Sequence, residues 1–243
     1  MTSVQDLTAH ALAGALPGRP VRTYPALLST EAAALAWARQ GAPGGAVVVA
    51  DYQVSPRGRA GIEWRVSPGS DLGFSLVLRP RLTADREGWL YTAATCALAG
   101  VVGEDAVIEW PDEVHAGGRR AAAVGVHVEL GPGAVLWAVL TVLFPGARPP
   151  RAPLLARAVE AMCGRAGAPS SEVLSDYLAR CATLERRVRA RLIPMGATGA
   201  VIAGRAAACL KDGALVIETD DRRRIAVRPQ ALGVLERDPD PIG

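Results

Sequence analysis

The chain of 243 residues contains a single lysine, Lys211, and no asparagine. Any mechanism that needs a lysine or an asparagine in the first two-thirds of the chain is therefore excluded. The longest apolar run, from Ala134 to Phe144, is about half of the ~20 residues that a membrane-spanning helix requires, so we expect no membrane association. The first residues include Asp6 and lack the basic region of a secretory signal, so we expect a cytoplasmic protein.

Cysteine is also scarce, and no two cysteines form a C-x-x-C pair. The four are Cys96, Cys163, Cys181 and Cys209. This spacing predicts buried thiols in a reducing compartment, and neither a disulfide framework nor a metal site. The carboxylates of Glu109, Asp112 and Glu113 could bind a metal, but residues of a surface turn explain them better, so no metal site is predicted.

Hydrophobic residues make up 50% of the chain, which indicates a globular protein. The net charge is only +3 and the arginines are spread along the chain, so nucleic-acid binding is weakly indicated. The length suits one good-sized domain and a small one. We expect an α+β fold in which a mixed sheet is covered by helices.

Strands and helices are predicted from apolar patterns and from their flanking residues. Strands are expected at 21–24, 44–51 and 72–78, on both sides of a Gly117-Gly118 turn within 107–130, and at 134–144 as one strand or two. Helices are expected at 32–40 after an N-cap at Ser29 or Thr30, at 83–102, at 154–164, and at 170–187 with Ser170 or Ser171 as cap. Residues 1–20 are predicted to form a leader arm with a short helix. In the helix at 83–102, one buried stripe is expected, formed by Trp89, Leu90, Ala93, Ala97 and Leu98.

The last part of the chain alternates apolar and polar residues over 188–235. Tight turns separate the short segments, among them Lys211-Asp212-Gly213. This pattern predicts a small β-barrel. We therefore expect two domains, 1–187 and 188–243.

The segment after the 44–51 strand carries Arg57, Gly58, Arg59 and Gly61, followed by Trp64. Two arginines around a glycine can fold over an anion, because the glycine lets the backbone bend and guanidinium groups grip phosphate or carboxylate. The tryptophan offers a flat face for stacking a planar ring. On these residues alone, a solvated hairpin loop with one anchoring tryptophan is the simpler interpretation.

The same segment resembles the signature loop of biotin–protein ligases, Q-x-x-G-R-G-R-x-G-x-x-W followed by S-P-x-G-x-x-L-x-x-S. The matching positions are Gln53, Arg57, Gly58, Arg59, Gly61, Trp64, Gly69, Leu72 and Ser75. Pro56 stands for the first glycine, and Ile62 for a basic residue. Residues 188–236 resemble the SH3-like C-terminal domain of that family, so the resemblance covers roughly 20–236. It leaves no room before it for the winged helix of the repressor-type members, so DNA binding is not expected.

The resemblance implies that biotin and ATP, with Mg²⁺ as cofactor, form an acyl-adenylate. A lysine of a carboxyl-carrier domain then accepts the acyl group. The resemblance implies substrate contacts at Ser29, Thr30, Gln53, Arg57, Arg59, Trp64 and Trp110. It also implies catalytic roles for Arg59 and Arg120, because adenylation needs positive charge near the reacting phosphate. The oligomeric state stays open, with a homodimer as one alternative.

Several family motifs are altered in this chain. The block K-W-P-N-D is Glu109-Trp110-Pro111-Asp112-Glu113 here, so an acid replaces the family lysine. In the block G-R-K-L-A-G-I, Arg120 replaces the lysine, which keeps the charge but not the compact ammonium. The motif G-x-G-x-N has no counterpart. The half of the site that would bind biotin is therefore better kept than the half that would bind the nucleotide.

Three functions are compatible with these residues. The first is a divergent biotin–protein ligase, and the second is a non-catalytic protein that holds biotin, a related acyl group or a carrier protein. The third is an acyltransferase like the lipoyl and octanoyl transferases, for which Cys96 would be the nucleophile. Cys96 lies on a predicted helix, so the third ranks last.

Overall fold

The computed structural model describes residues 6–196 and 199–238. The helices are α1 (Ala9–Ala15), α2 (Thr30–Arg39), α3 (Trp89–Val102), α4 (Ala152–Gly167) and α5 (Ser170–Arg180). The strands are β1 (Val21–Leu27), β2 (Val47–Gln53), β3 (Leu72–Leu78), β4 (Val107–Glu109), β5 (Glu113–Ala116), β6 (Arg119–Gly131), β7 (Ala134–Phe144), β8 (Arg187–Leu192), β9 (Val201–Cys209), β10 (Leu215–Glu218), β11 (Arg224–Val227) and β12 (Leu232–Arg237).

A seven-stranded mixed sheet forms the centre of the molecule, with the strand order β1-β2-β3-β7-β6-β5-β4. Only β1 and β2 are parallel to each other, and α2 provides the crossover connection that a parallel pair needs. The remaining pairs are antiparallel. The predicted α+β fold with a mixed sheet covered by helices is confirmed.

Helices cover both faces of this sheet. Val47 and Val49 of β2 belong to the core that includes α3, α4 and α5, whereas Val48 packs with Ala34 and Ala38 of α2. Successive side chains of a strand point to opposite faces, so both faces of β2 must be apolar. This double burial is the reason why β2, β3 and β7 are nearly continuous apolar runs.

Helix α3 is the most enclosed helix described, because it packs against the sheet, α4 and α5. Every residue from Trp89 to Ala99 is buried, so the predicted stripe is buried together with the other sides of the helix. The helix starts at Trp89 rather than at residue 83, because the chain first forms a short 3-10 turn, Ala84–Arg86.

Two expectations about the fourth predicted helix are wrong. Helix α5 ends at Arg180, and β8 already begins at Arg187. The N-cap residue of α5 is Pro169, and no side chain caps this end in the described structure, so neither Ser170 nor Ser171 acts as the cap.

The predicted leader arm packs against the body of the protein wherever it is described. Leu12 of α1 is fully buried, and the Asp6 carboxylate pairs with the buried guanidinium of Arg151 at 2.6 Å. Residues 1–5 of the predicted arm lie outside the described residues. Residues 134–144 form the single strand β7.

The last five strands form a second, antiparallel sheet with the order β11-β10-β9-β8-β12. The Trp110 indole nitrogen donates to the Gly213 carbonyl at 2.9 Å, and the Gln230 amide donates to Glu87 at 2.7 Å. These bonds fasten the second sheet to the first. The likeness of this sheet to an SH3 barrel stays a prediction.

Candidate functional site

The loop that carries the resemblance starts where β2 ends and forms a tight hairpin. The Gly58 amide donates to the Ile62 carbonyl at 2.8 Å, and the Trp64 amide donates to the Pro56 carbonyl at 2.9 Å. A Cβ on Gly58 would overlap the Trp64 indole, so only glycine allows this packing. The predicted hairpin loop with an anchoring tryptophan therefore describes the local structure well.

The two arginines of this loop have different environments. Arg57 is exposed, and its side chain donates to the Gly61 carbonyl at 3.1 Å. Arg59 is buried, and its Nε lies 3.1 Å from Oδ2 of Asp112. The Arg59 guanidinium also donates to two carbonyls of the second sheet, those of Leu232 and Gly233. Arg59 thus ties the loop to both sheets.

A chain of buried hydrogen bonds lies at the start of α2 and the end of β2. The amide and hydroxyl of Thr30 donate to Oε1 of Gln53 at 2.8 and 3.1 Å, and the Ser75 hydroxyl donates to the Thr30 hydroxyl at 3.0 Å. Because the Ser75 hydrogen is used in this way, the Thr141 hydroxyl 2.9 Å away is the donor to Ser75. The four side chains form a directed chain that ends on Gln53. Next to it, Ser29 is the N-cap of α2 and accepts from the Ala32 amide at 3.0 Å.

A cavity of about 310 Å³ lies between the signature loop, β5 and β12. Four predicted site residues line it, namely Arg59, Trp64, Trp110 and Arg120. The carboxylates of the altered K-W-P-N-D block, Glu109, Asp112 and Glu113, line it as well. Five predicted substrate and catalytic positions lie outside the Ser29, Thr30 and Gln53 group, and four of them line this cavity, including both predicted catalytic arginines. The fifth, Arg57, is exposed and does not line it.

Every carboxylate of this cavity is paired with a cationic side chain. Glu113 contacts Arg120 at 3.0 Å and His115 at 2.8 Å. Glu109 contacts Arg186 at 2.8 Å and Arg237 at 3.2 Å. The contacts of Arg186 and Arg237 were not foreseen from the sequence, because these residues lie far along the chain from Glu109.

Burial controls the acidity of Asp112. It raises the pKa of this carboxyl from the ordinary value of 3.8 to about 6, although the neighbouring Arg59 acts in the opposite direction. At Glu113, burial alone would raise the pKa, but the hydrogen bonds from His115 and Arg120 outweigh it and lower the pKa. The cavity therefore holds one carboxyl that titrates near neutrality beside one that stays ionised.

The resemblance also implies Mg²⁺, and the carboxylates of the cavity do not suit that ion. One oxygen of Glu113 contacts His115 and the other accepts from Arg120, and Oε1 of Glu109 is shared by two arginines. A hard divalent cation needs carboxylate oxygens that are free to coordinate it. Among the described residues, no group of three or more His, Cys, Asp or Glu side chains is placed to hold a metal ion.

Cys96, the candidate nucleophile of an acyltransferase, lies inside the α3 packing. Its side chain is 3% exposed, and its Sγ faces the Val173 carbonyl at 3.8 Å. Burial raises the pKa of this thiol, which lowers its thiolate fraction. This environment gives an acyl group no access to Cys96.

No model of a protein family matches the chain. A stretch of 117 residues is 31% identical to the bifunctional ligase/repressor BirA of Bacillus subtilis. This stretch covers 46% of the chain and 35% of BirA, so the chain spans about a third of the length of that relative.

Solved structures share the architecture over nearly the whole chain. Biotin protein ligase from Aquifex aeolicus, in complex with biotin and ATP, has a TM-score of 0.67 at 18% identity and covers 90% of this chain and 99% of its own. A biotin protein ligase-like protein of unknown function from Silicibacter sp. has a TM-score of 0.67 at 11% identity, covering 88% of this chain and 96% of its own. At these identities the likeness shows the fold.

None of the helices in the described parts of the chain is long and apolar enough to cross a membrane. The signature loop, the mixed sheet and the local sequence match to BirA all indicate similarity to biotin protein ligases. The chain has the biotin protein ligase fold, and a stretch of 117 of its residues is similar in sequence to BirA.

Proposed function

We propose that this protein holds biotin, or a related carboxylic acid, at the ligase-type site without activating it with ATP. One observation carries the proposal. The resemblance assigns phosphate binding to Arg59 and Arg120. In the structure, Arg59 is paired with Asp112, and Arg120 is paired with Glu113. The positive charge that adenylation needs is already neutralised within the protein.

The cost of freeing Arg59 is large. A phosphate that recruited this arginine would leave the Asp112 carboxylate buried and uncompensated, and breaking a buried pair in this way costs about 3–5 kcal/mol. Glu109 stands at the position of a family lysine, so the free positive charge that this lysine would offer to a triphosphate is missing there. Both effects oppose ATP chemistry at this cavity.

The part of the site that would hold the carboxylic acid keeps more of the family's residues than the nucleotide part does. The buried chain from Thr141 through Ser75 and Thr30 to Gln53 brings hydroxyl and amide groups together, next to the Ser29 hydroxyl. In the family, the position of Ser29 and Thr30 contacts the biotin head group. Polar groups fixed by their neighbours are well suited to orient a small ligand.

An active ligase is the second candidate, and it would contain the two proposed domains, 1–187 and the SH3-like 188–243. The 31% identity to the B. subtilis ligase/repressor favours it, and so does Arg57, an exposed arginine of the signature loop. In this case biotin, ATP and Mg²⁺ would be the substrates and cofactor, and a lysine of a biotin carboxyl-carrier domain would be the acceptor.

AMP formation separates the two candidates. The full chain is incubated with biotin, ATP, Mg²⁺ and a carrier domain, with B. subtilis BirA as the positive control. We expect AMP at the level of the enzyme-free blank for this protein. AMP formation above that blank, dependent on biotin, would favour the active ligase.

A further inference from the structure

A second cavity, of about 570 Å³, opens at the opposite end of β2 and β3. It lies between the Gly44-Gly45 turn before β2, the segment that follows Leu78 of β3, and the junction of α4 with α5. The candidate site starts at Gln53, where β2 ends. The length of the seven-residue strand, roughly 20 Å, separates the two sites.

Arginine dominates the wall of this cavity. The four arginines are Arg19, Arg79, Arg81 and Arg86. No carboxylate lines the cavity within the part of the chain that the structure describes. A concave surface with charge of one sign concentrates ions of the opposite sign. This arrangement is the reverse of the first cavity, where acids neutralise the arginines.

Two of these arginines are held in place by the protein. Arg79 donates to the carbonyls of Ala42 and Ala38 at 3.0 and 3.3 Å, at the end of α2. Arg19 is paired at 2.8 Å with Glu160, which does not line the cavity. A guanidinium has five N–H groups, so these contacts leave donors over for a ligand.

The other two arginines have few contacts. In the described parts of the chain, the exposed side chain of Arg81 forms no hydrogen bond or ion pair. The guanidinium of Arg86 lies 5.5 Å from the ring centre of Trp89, and its Nε is buried without a hydrogen-bond partner among those residues. A buried donor without a partner is costly, and an anion would satisfy it.

The N-terminus of α5 adds to the positive potential. Ser170, its first residue, lines the cavity, and no side chain caps this helix end in the described structure. The amide groups of a helix N-terminus favour negative charge. Arg86 and Ser170 also border an adjoining cleft, together with the only lysine, Lys211.

We propose that this arginine cavity binds a small molecule that carries phosphate groups. One guanidinium group can bind two phosphate oxygens at once. The volume of the cavity lies within the ~300–1,000 Å³ that is typical of small-molecule sites. Leu78 and Leu82 give the wall an apolar part for the remainder of such a molecule. The site is independent of the biotin-type site, because the two share no residue.

Calorimetric titration of the full chain with pyrophosphate, and with inorganic phosphate, tests the proposal. The variants are Arg81→Ala, which removes an exposed side chain, and Arg86→Gln. The matched control is Arg224→Ala, an exposed arginine of β11 in the second sheet. We expect pyrophosphate to bind in a 1:1 ratio, and each cavity variant to weaken binding by about tenfold or more.

The control variant should bind pyrophosphate as the wild type does, and Arg81→Ala should bind biotin as the wild type does. Three results would overturn the proposal. They are no detectable binding of pyrophosphate, equal binding by the wild type and both cavity variants, or an equal loss in the Arg224→Ala control, which would indicate unspecific attraction by the net charge.

Discussion

Arg59 and Asp112 form a largely buried ion pair that fastens the loop after β2 to the turn between β4 and β5, with 3.1 Å between Nε and Oδ2. The arginine side chain is 6% exposed and the aspartate side chain 15%. Because Arg59 also binds the Leu232 and Gly233 carbonyls, one side chain joins the loop, the first sheet and the second sheet. Removal of the Arg59 side chain should therefore lower the stability of the whole fold.

Replacing Arg59 by alanine is expected to lower the free energy of unfolding by about 3–5 kcal/mol, because the buried Asp112 carboxylate loses its partner. Urea denaturation followed by tryptophan fluorescence measures the change. Arg57→Ala is the matched control from the same loop. Arg57 is exposed, so its loss should change the stability by no more than about 0.5 kcal/mol. Equal effects of the two substitutions would contradict this role of Arg59.

The raised pKa of Asp112 predicts a pH dependence of stability. In the folded protein burial raises this pKa to about 6, against 3.8 ordinarily, so the folded state holds the proton more tightly than the unfolded state. Asp112 therefore contributes stability below about pH 4, and this contribution is lost as the pH rises to about 6. The loss is about 3 kcal/mol for a shift of about two pKa units.

The comparison of wild type with Asp112→Asn isolates this effect, since the other titrating groups are common to both. The stability of the wild type relative to the variant should fall between pH 4 and pH 6 and stay constant above pH 7. Denaturation curves at each pH give the difference. A difference that is constant over this range, or that rises, would show that burial does not dominate the acidity of Asp112.

The hydrogen-bond chain at Thr30 gives a third prediction. Thr30→Val keeps the shape but removes the hydroxyl that joins Ser75 to Gln53, which should cost about 1–3 kcal/mol. If biotin binds here, its affinity should fall as well. Ser29→Ala removes the cap of α2 and should cost about 1 kcal/mol. If Thr30→Val were as stable as the wild type, the hydrogen bonds of Thr30 with Ser75 and Gln53 would not stabilise the fold.

The packing of Trp64 on Gly58 gives a fourth prediction. A methyl group on Gly58 would overlap the indole, so Gly58→Ala should destabilise the protein by about 1–3 kcal/mol and change the tryptophan fluorescence. Gly100→Ala is the control, because Gly100 lies in α3 with open space at its Cβ position. There alanine should be neutral or stabilise by up to about 1 kcal/mol. Tolerance of Gly58→Ala would mean that the loop is not held against Trp64.

Local patterns predicted much of the fold. The strand Leu72–Leu78 has the bounds expected from its apolar run before Arg79-Pro80, and Ser29 is the expected cap of α2. The end of α5 was missed, because residues 181–187 contain no glycine or proline to mark it. The chain leaves the helix there to join the second sheet, which is a tertiary effect that helix propensity does not report.

The candidate site was predictable only in part. The resemblance identified Arg59, Arg120 and Trp64, and all three line one cavity. The partners of these residues could not be found in the same way, because the contact of Arg59 with Leu232 joins positions 173 residues apart. The sequence showed that acids had replaced the family lysine and asparagine, but only the structure shows which arginine each of these acids neutralises.

Calorimetric titration with biotin, first alone and then with ATP and Mg²⁺, tests the central claim most directly. The claim is that the polar side chains around Thr30 and Gln53 hold biotin. In the cavity at the signature loop, Asp112 and Glu113 neutralise Arg59 and Arg120. We predict saturable binding of biotin with the same Kd in both titrations and no formation of AMP. Biotin-dependent formation of AMP would contradict the claim, as would the absence of biotin binding in both titrations.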